Sequence, residues 1–342
     1  MSGGRLSSAA SIRTITRRCM GIASMDRVKK VLVTGVCGQL GHDVANELLR
    51  RGYDVIGSDI KSEEEFAAID CMTPNRCKSE VCGSFRYVTL DICSSDDTRR
   101  ELLTIKPDAV VHCAAWTAVD AAEEASVHDK VYSINAFATK NIAEICKELS
   151  CKMVYISTDY VFGGQGNIPW GPDCQDFNPL NVYGKSKLAG EQAVSGLLDK
   201  FFIVRIAWVF GLHGGNFVKT MLRLGRTHDE IRVVNDQIGT PTYTFDLARL
   251  LVDMLETDKY GYYHATNEGG YISWYDFACE IFRQAGYSTK VIPVSTAEYG
   301  QSKAARPYNS RLDRSKLMQN GFVPLPDWRD ALARYLEEVE RI

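Results

Sequence analysis

The most constraining feature of this chain is a glycine loop in a fixed setting. The buried-strand pattern of Val28–Thr34 runs directly into Gly35-Val36-Cys37-Gly38-Gln39-Leu40-Gly41. Helical periodicity follows at once, with Val44, Leu48 and Leu49 on one face. A G-x-x-G-x-x-G loop in this position lets bare backbone approach a pyrophosphate. The helix start adds free N–H groups and a partial positive charge. Gly35, Gly38, Gln39, Leu40 and Gly41 are therefore candidate cofactor-binding residues.

The first half of the chain keeps this alternation. The helix over Leu40–Arg51 ends at Gly52. Further strands are predicted at Tyr53–Ser58, Phe85–Leu90, Ala109–Ala114, Lys152–Ser157 and Phe201–Ala207, with helices at Asp97–Ile105, Lys130–Leu149 and Ser186–Leu198. Alternation of buried strands with amphipathic helices predicts an α/β fold, a Rossmann-type doubly wound parallel sheet covered on both faces. We expect a nucleotide-binding core over 28–210. A mainly substrate-binding region is expected over 211–342, with the chain crossing back to the core near 235–260.

Two stretches break the pattern. Residues 61–84 are polar, carry three successive glutamates and hold Cys71, Cys77 and Cys82; they read as a surface insertion. The cysteine spacing is not C-x2-C and no histidine falls between them, so no metal site is expected. The N-terminal stretch is rich in Arg and Ser and has no acid before Asp26. Transit peptides share that composition, as does sequence upstream of a start at Met20 or Met25. Residues 1–27 read as a disordered extension or mis-assigned start rather than a working targeting signal.

Composition excludes other classes. Lys and Arg total 40 against 43 for Asp and Glu, which gives no electrostatic reason to expect nucleic acid or an anionic membrane as partner. No apolar run approaches the roughly 20 residues that span a bilayer. The 11 cysteines are odd in number, and several, such as Cys113 and Cys146, sit within apolar patterns. Reduced thiols in a cytoplasmic compartment are expected.

Three further features carry chemistry. Asp59 closes the second strand, 18 positions after Gly41, where an acid can accept hydrogen bonds from an adenosine ribose. That favours NADH, while Lys61 offsets the charge and leaves NADPH open. Asp91, after the third strand, reads either as an adenine neighbour or as a helix-start residue. Tyr183 and Lys187 form Y-x-x-x-K on one helix face, and a nearby ammonium is expected to lower the phenol pKa toward the operating pH. The fifth strand runs into Ser157-Thr158-Asp159, a hydroxyl placed to steady the same carbonyl.

Glycine loop, strand-end hydroxyl and Y-x-x-x-K in this order resemble the extended short-chain dehydrogenase/reductase superfamily. Ala114–Asp120, Asn135, Ser157–Phe162, Asn181–Lys185, Arg205–Gly211, Asp236–Thr242 and Arg306–Ser310 together resemble the dTDP-4-dehydrorhamnose reductase family, over residues 29 to about 338. The resemblance implies a Rossmann-type domain with a smaller C-terminal substrate-binding α/β domain. It implies reduction of dTDP-4-dehydro-L-rhamnose to dTDP-L-rhamnose by NADPH or NADH. By the same motifs Thr158, Tyr183 and Lys187 are the catalytic set. Tyr183 protonates the C4 oxygen, Lys187 tunes it and holds the nicotinamide ribose, and Thr158 bonds the substrate oxygen.

Ile92, Ala114, Ala115 and Asn135 match the cofactor side; Thr117, Val119, Tyr160 and Trp208 match the sugar pocket. Trp208 also reads as core packing. Arg306 can clamp a diphosphate bidentately or make a surface salt bridge. Trp274, Phe277, Ile281 and Phe282 lie at core-helix spacing, and Trp328–Ile342 reads as a closing amphipathic helix. His112 reads as a packed core residue and His213 receives no role.

Two alternatives share these motifs. One is an epimerase, dehydratase or reductase acting on another nucleotide sugar. The other is a non-catalytic regulatory subunit resembling the methionine adenosyltransferase beta subunit. Retention of Thr158, Tyr183 and Lys187 favours catalysis. A nucleotide-sugar substrate is the expected partner, and a homodimer is compatible with the reading.

Overall fold

The computed structural model describes residues 28–71, 85–300 and 302–339. Seven strands form one sheet: β1 Lys30–Thr34, β2 Asp54–Asp59, β3 Arg86–Thr89, β4 Ala109–His112, β5 Lys152–Thr158, β6 Phe201–Ile206 and β7 Gly261–His264. Their spatial order is β7-β6-β5-β4-β1-β2-β3, and every neighbouring pair is parallel. The order reverses between β1 and β4, which opens a crevice at the carboxyl ends of the strands.

Side-chain alternation along β1 divides the core into two layers. Val31 and Val33 face α1 (Gln39–Arg50), whose Val44 and Leu48 share a cluster with Leu247 and Leu251. Leu32 joins the opposite layer with Ile142, Tyr155, Val194 and Ile203. That layer is built from α3 (Ser95–Ile105), α4 (His128–Leu149) and α5 (Val182–Leu197).

A smaller unit follows. It contains α6 (Phe217–Gly225), the parallel strand pair Glu230–Val234 and Lys290–Val294, α8 (Trp274–Ala285) and α9 (Trp328–Val339). Phe210, Met221, Phe277, Ile281, Trp328 and Tyr335 are part of its own core. Between these elements the chain returns to the large sheet through α7 (Thr244–Leu255) and β7. Arg51 pairs with Asp253 at 2.5 Å, and Tyr53 donates to Glu256 at 2.8 Å, fastening α7 beside α1.

Local structure departs from the sequence expectation where side chains intervene. Helix α4 begins at His128 and carries a π turn over Ser133–Ala138. Helix α5 begins at Val182 rather than Ser186, because the Asn181 side chain accepts from Gly184 N at 2.8 Å and caps it. The fourth strand ends at His112 instead of Ala114, since Ala114 N turns to Thr34 Oγ1 at 3.2 Å. The polar segment after β2 opens with α2 (Glu63–Cys71). Ser62 and Glu65 cap it reciprocally, and the glutamate run supplies the negative charge a helix N-terminus favours.

The expectations for residues 1–27, and for 72–84 with Cys77 and Cys82, lie outside the described residues. Among the described residues no His, Cys, Asp and Glu group could hold a metal. No helix among them is long and apolar enough to cross a membrane.

Candidate active site

A cavity of about 670 Å³ lies in the crevice at the carboxyl ends of the strands. Its glycine end is made largely of backbone. Gly35 has φ +74°, and a Cβ there would lie 2.7 Å from Ala114 N. A Cβ on Gly41 would lie 2.2 Å from Gly35 O. Those two positions admit only glycine. Gly38, Gln39 and Leu40 complete this part of the lining.

Asp59 faces the same space and is locked to the loop: its Oδ2 accepts from Cys37 N at 3.0 Å. Asp91 accepts from Cys93 N at 2.9 Å and lines the cavity beside Ile92. Ala114 and Ala115 border the floor. Asn135 does not belong to the lining. Its side chain accepts from Trp116 N at 2.9 Å and donates to Trp116 O at 3.2 Å and Ser186 Oγ at 3.0 Å. It holds the turn after β4 against α5 and so positions the floor.

Thr158 ends β5, where its hydroxyl donates to Asp159 Oδ1 at 2.9 Å and accepts from Tyr160 N at 3.2 Å. Tyr183 lies in the first turn of α5 with Lys187 one turn on, and both line the cavity. Gly184 lets α5 approach this closely, since a Cβ there would lie 2.4 Å from Tyr160 O. Tyr183 meets Tyr160 edge to face at 5.7 Å.

Burial pushes the Lys187 ammonium pKa down to about 7, while Glu191 and Cys113 hold it up. Burial and the Asp159 carboxylate push the Tyr183 phenol up, opposed by the Thr158 hydroxyl. The expected lowering of Tyr183 by Lys187 is therefore reversed by burial and the Asp159 carboxylate. Both groups are desolvated, and the ammonium sits 4.0 Å from the centre of the Tyr155 ring. Burial also brings Asp159 up to about 6.

The far end of the cavity is made of side chains. Thr117, Val119, Tyr160 and Trp208 line it, as does Trp274. Trp208 stacks on Trp274 with ring centres 3.8 Å apart and planes 15° from parallel. Its backbone is left-handed, with φ +51°, an outlier for so bulky a residue. Gly239 makes room for it: a Cβ there would lie 2.8 Å from the Trp208 ring. Arg306 stands outside the lining, bound bidentately to Asp120 at 3.0 and 2.8 Å. The salt-bridge reading describes its contacts in this structure.

Sequence reasoning missed several lining residues. Trp274 was hidden by its core-helix spacing, although its place at the start of α8 turns it toward Trp208. Gly214 and Gly215 also line the cavity. Gln39 binds their loop, donating to Gly215 O at 3.4 Å and accepting from Asn216 Nδ2 at 3.0 Å. The Gly-rich composition around His213 was the available signal. Ser58 Oγ and Ser157 Oγ are buried without a hydrogen-bond partner, and both residues line the cavity. Buried hydroxyls of this kind suit a polar ligand.

Comparison with known proteins places nearly the whole chain in one family. The model of the RmlD substrate binding domain matches residues 29–341. The chain is 37% identical over 309 residues to the spore coat polysaccharide biosynthesis protein SpsK of Bacillus subtilis, covering 90% of this chain and 97% of that one. It is 35% identical over 320 residues to the dTDP-4-dehydrorhamnose reductase of Escherichia coli K12, with the same coverage of 90% and 97%. The crystal structure of dTDP-4-dehydrorhamnose reductase from Bacillus anthracis in complex with NADP superposes with a TM-score of 0.78 at 38% identity, covering 91% of this chain and 99% of that one. The Clostridium acetobutylicum ortholog gives 0.79 at 38% identity, with the same coverage of 91% and 99%. With fold and sequence agreeing over nearly all the described residues, the chain belongs to the RmlD substrate binding domain family of extended short-chain dehydrogenases/reductases.

Proposed function

We propose that this protein reduces the C4 carbonyl of dTDP-4-dehydro-L-rhamnose to the alcohol of dTDP-L-rhamnose, using NADPH or NADH. The observation that carries the reading is the gathering of Thr158, Tyr183 and Lys187 in one cavity, between a backbone-lined glycine end and a tryptophan-walled end.

The glycine end fits a dinucleotide. Gly35, Gly38 and Gly41 would admit the pyrophosphate to the N–H groups of α1. Asp59 would accept from the adenosine ribose, with Asp91 and Ile92 beside the adenine and Ala114 and Ala115 along the chain of the cofactor. A bound nicotinamide supplies the hydride. Tyr183 Oη gives its proton to the carbonyl oxygen, and the Thr158 hydroxyl hydrogen-bonds the same oxygen. Lys187 places a positive charge behind the phenol, which favours its ionised form as the proton leaves, and offers N–H donors to the nicotinamide ribose. Thr117, Val119, Tyr160 and Trp208 would surround the sugar. The flat apolar face of Trp208 suits a deoxysugar. Arg306 would take the substrate diphosphate by exchanging its Asp120 partner.

The test follows NADH and NADPH absorbance separately after adding freshly made dTDP-4-dehydro-L-rhamnose, with Tyr183→Phe beside the wild type. Oxidation by the wild type and its loss in the variant are expected. No oxidation by a folded, cofactor-binding protein overturns the assignment. A tightly held, non-exchanging NAD would move it to an epimerase.

A further inference from the structure

Lys187 is a buried cation whose charge burial opposes and Glu191 and Cys113 favour. It is 3% exposed, and its ammonium makes no hydrogen bond or ion pair with another described residue. The groups around it come from three elements. His112 and Cys113 lie at the end of β4, Tyr155 comes from β5, and Tyr183 and Glu191 share its own helix. His112 is buried between Thr34 and Thr139 hydroxyls, at 2.7 and 3.1 Å. Burial takes its pKa down to about 3, so it stays neutral. Glu191 is bound bidentately to buried Arg205 at 2.8 and 2.7 Å, so the carboxylate that helps to hold the Lys187 charge also faces a second cation.

In direct contact with the ammonium is the face of Tyr155, 4.0 Å from Nζ to ring centre. That side chain is fully buried, and its hydroxyl has a second task. It is shared between Asn135 O at 3.3 Å and Lys187 O at 3.2 Å. Asn135 lies in the π turn of α4, where its carbonyl also accepts from Thr139 Oγ1 at 2.9 Å. Gly190 keeps the space open, since a Cβ there would lie 2.3 Å from Tyr155 Oη and 2.5 Å from Asn135 O. One side chain thus touches the Lys187 charge with its ring and the Lys187 backbone with its hydroxyl.

We propose that Tyr155 is the positioning residue for Lys187: its ring face holds the ammonium, and its hydroxyl pins α5 to the π turn of α4. The proposal rests on the reading of Lys187 as a member of the catalytic set. Tyr155 is not among the residues that line the cavity, so it acts through the lysine. A desolvated ammonium gains from an aromatic face through the ring quadrupole, so emptying that face of negative charge penalises the charged form.

The experiment reads Lys187 directly. Its ε-methylene resonance is titrated in lysine-labelled, cofactor-free protein and assigned by its disappearance in Lys187→Met. Tyr155→Phe keeps the ring, and mono-, di- and trifluorophenylalanine at position 155 weaken its face at nearly constant shape. The Lys187 midpoint is expected to stay close to wild type in Tyr155→Phe. Across the fluorinated series it should fall progressively, by about one pH unit in total. The alkaline limb of the kcat profile should follow it downward. A midpoint that does not move with fluorination overturns the proposal, whatever happens to the rate. If the trifluoro protein does not fold, the Phe and monofluoro pair still decides by the sign of the shift. If the wild type leaves the dTDP sugar unreduced while the midpoint follows fluorination, the reaction assignment falls and the Tyr155 proposal stands.

Discussion

At the glycine end of the cavity the ligand would meet main chain; at the tryptophan end it would meet side chains. The first surface exists because Cβ atoms are absent from Gly35 and Gly41, where one would lie 2.7 or 2.2 Å from neighbouring backbone. The second exists because Trp208 holds a left-handed backbone and is backed by Trp274. A backbone surface is indifferent to most side-chain identities and intolerant of a single added carbon. A stacked side-chain surface can lose contact by degrees, so specificity can be tuned there without dismantling the fold.

Tyr183, at the junction of the two ends, sets the scale for tests of this contrast. Tyr183→Phe should lower kcat by about 10²–10⁴-fold while cofactor binding is unchanged in a fluorescence titration. Equal loss of both would mean that the ends are not independent. Gly35→Ala should weaken cofactor binding by about 10–100-fold and lower Tm, because the left-handed φ and the approach to Ala114 N act together. Near-wild-type affinity there would remove the backbone half of the comparison. Asp59→Asn keeps an acceptor for Cys37 N while deleting the charge. It should shift the ratio of kcat/KM values toward NADPH by about tenfold. Trp274→Ala should raise KM for the sugar nucleotide by about fivefold with little change in cofactor affinity, and Trp274→Phe should restore most of it. A matching loss of cofactor affinity in Trp274→Ala would show that the stack supports the whole cavity.

The same contrast governs what could be read from residue order. The glycine loop, Asp59 and the Tyr183–Lys187 spacing are short-range patterns, and the cavity lining contains all of them. Six strands of the sheet were legible for the same reason, while the seventh, Gly261–His264, was not read as a strand, because it is short, only half buried and joins the sheet after the chain has left it. Trp274 was not, because its partner Trp208 is distant in sequence and only folding stacks the two rings. Asn135 matched the family's cofactor side by motif, but its amide is spent on Trp116 and Ser186. The sense of the Tyr183 shift needed burial, which spacing does not report. The glutamates at 63–65 read only as part of a polar insertion, because their cap, Ser62 with Glu65, is a matter of geometry.

The fastening of α7 to α1 bears on how such a molecule is made. Helix α1 is synthesised by residue 50, yet Val44 and Leu48 are covered by Leu247 and Leu251. At ordinary translation rates that face waits about 10–40 s for its cover. The half that carries the glycine loop is therefore not a module that recombination could lift out at a boundary near residue 210. A fragment cut there would leave β6 as an open edge and α1 half naked, an invitation to aggregation. Chimeras between relatives should respect 244–264 as part of the large-sheet half, whatever its position in the gene.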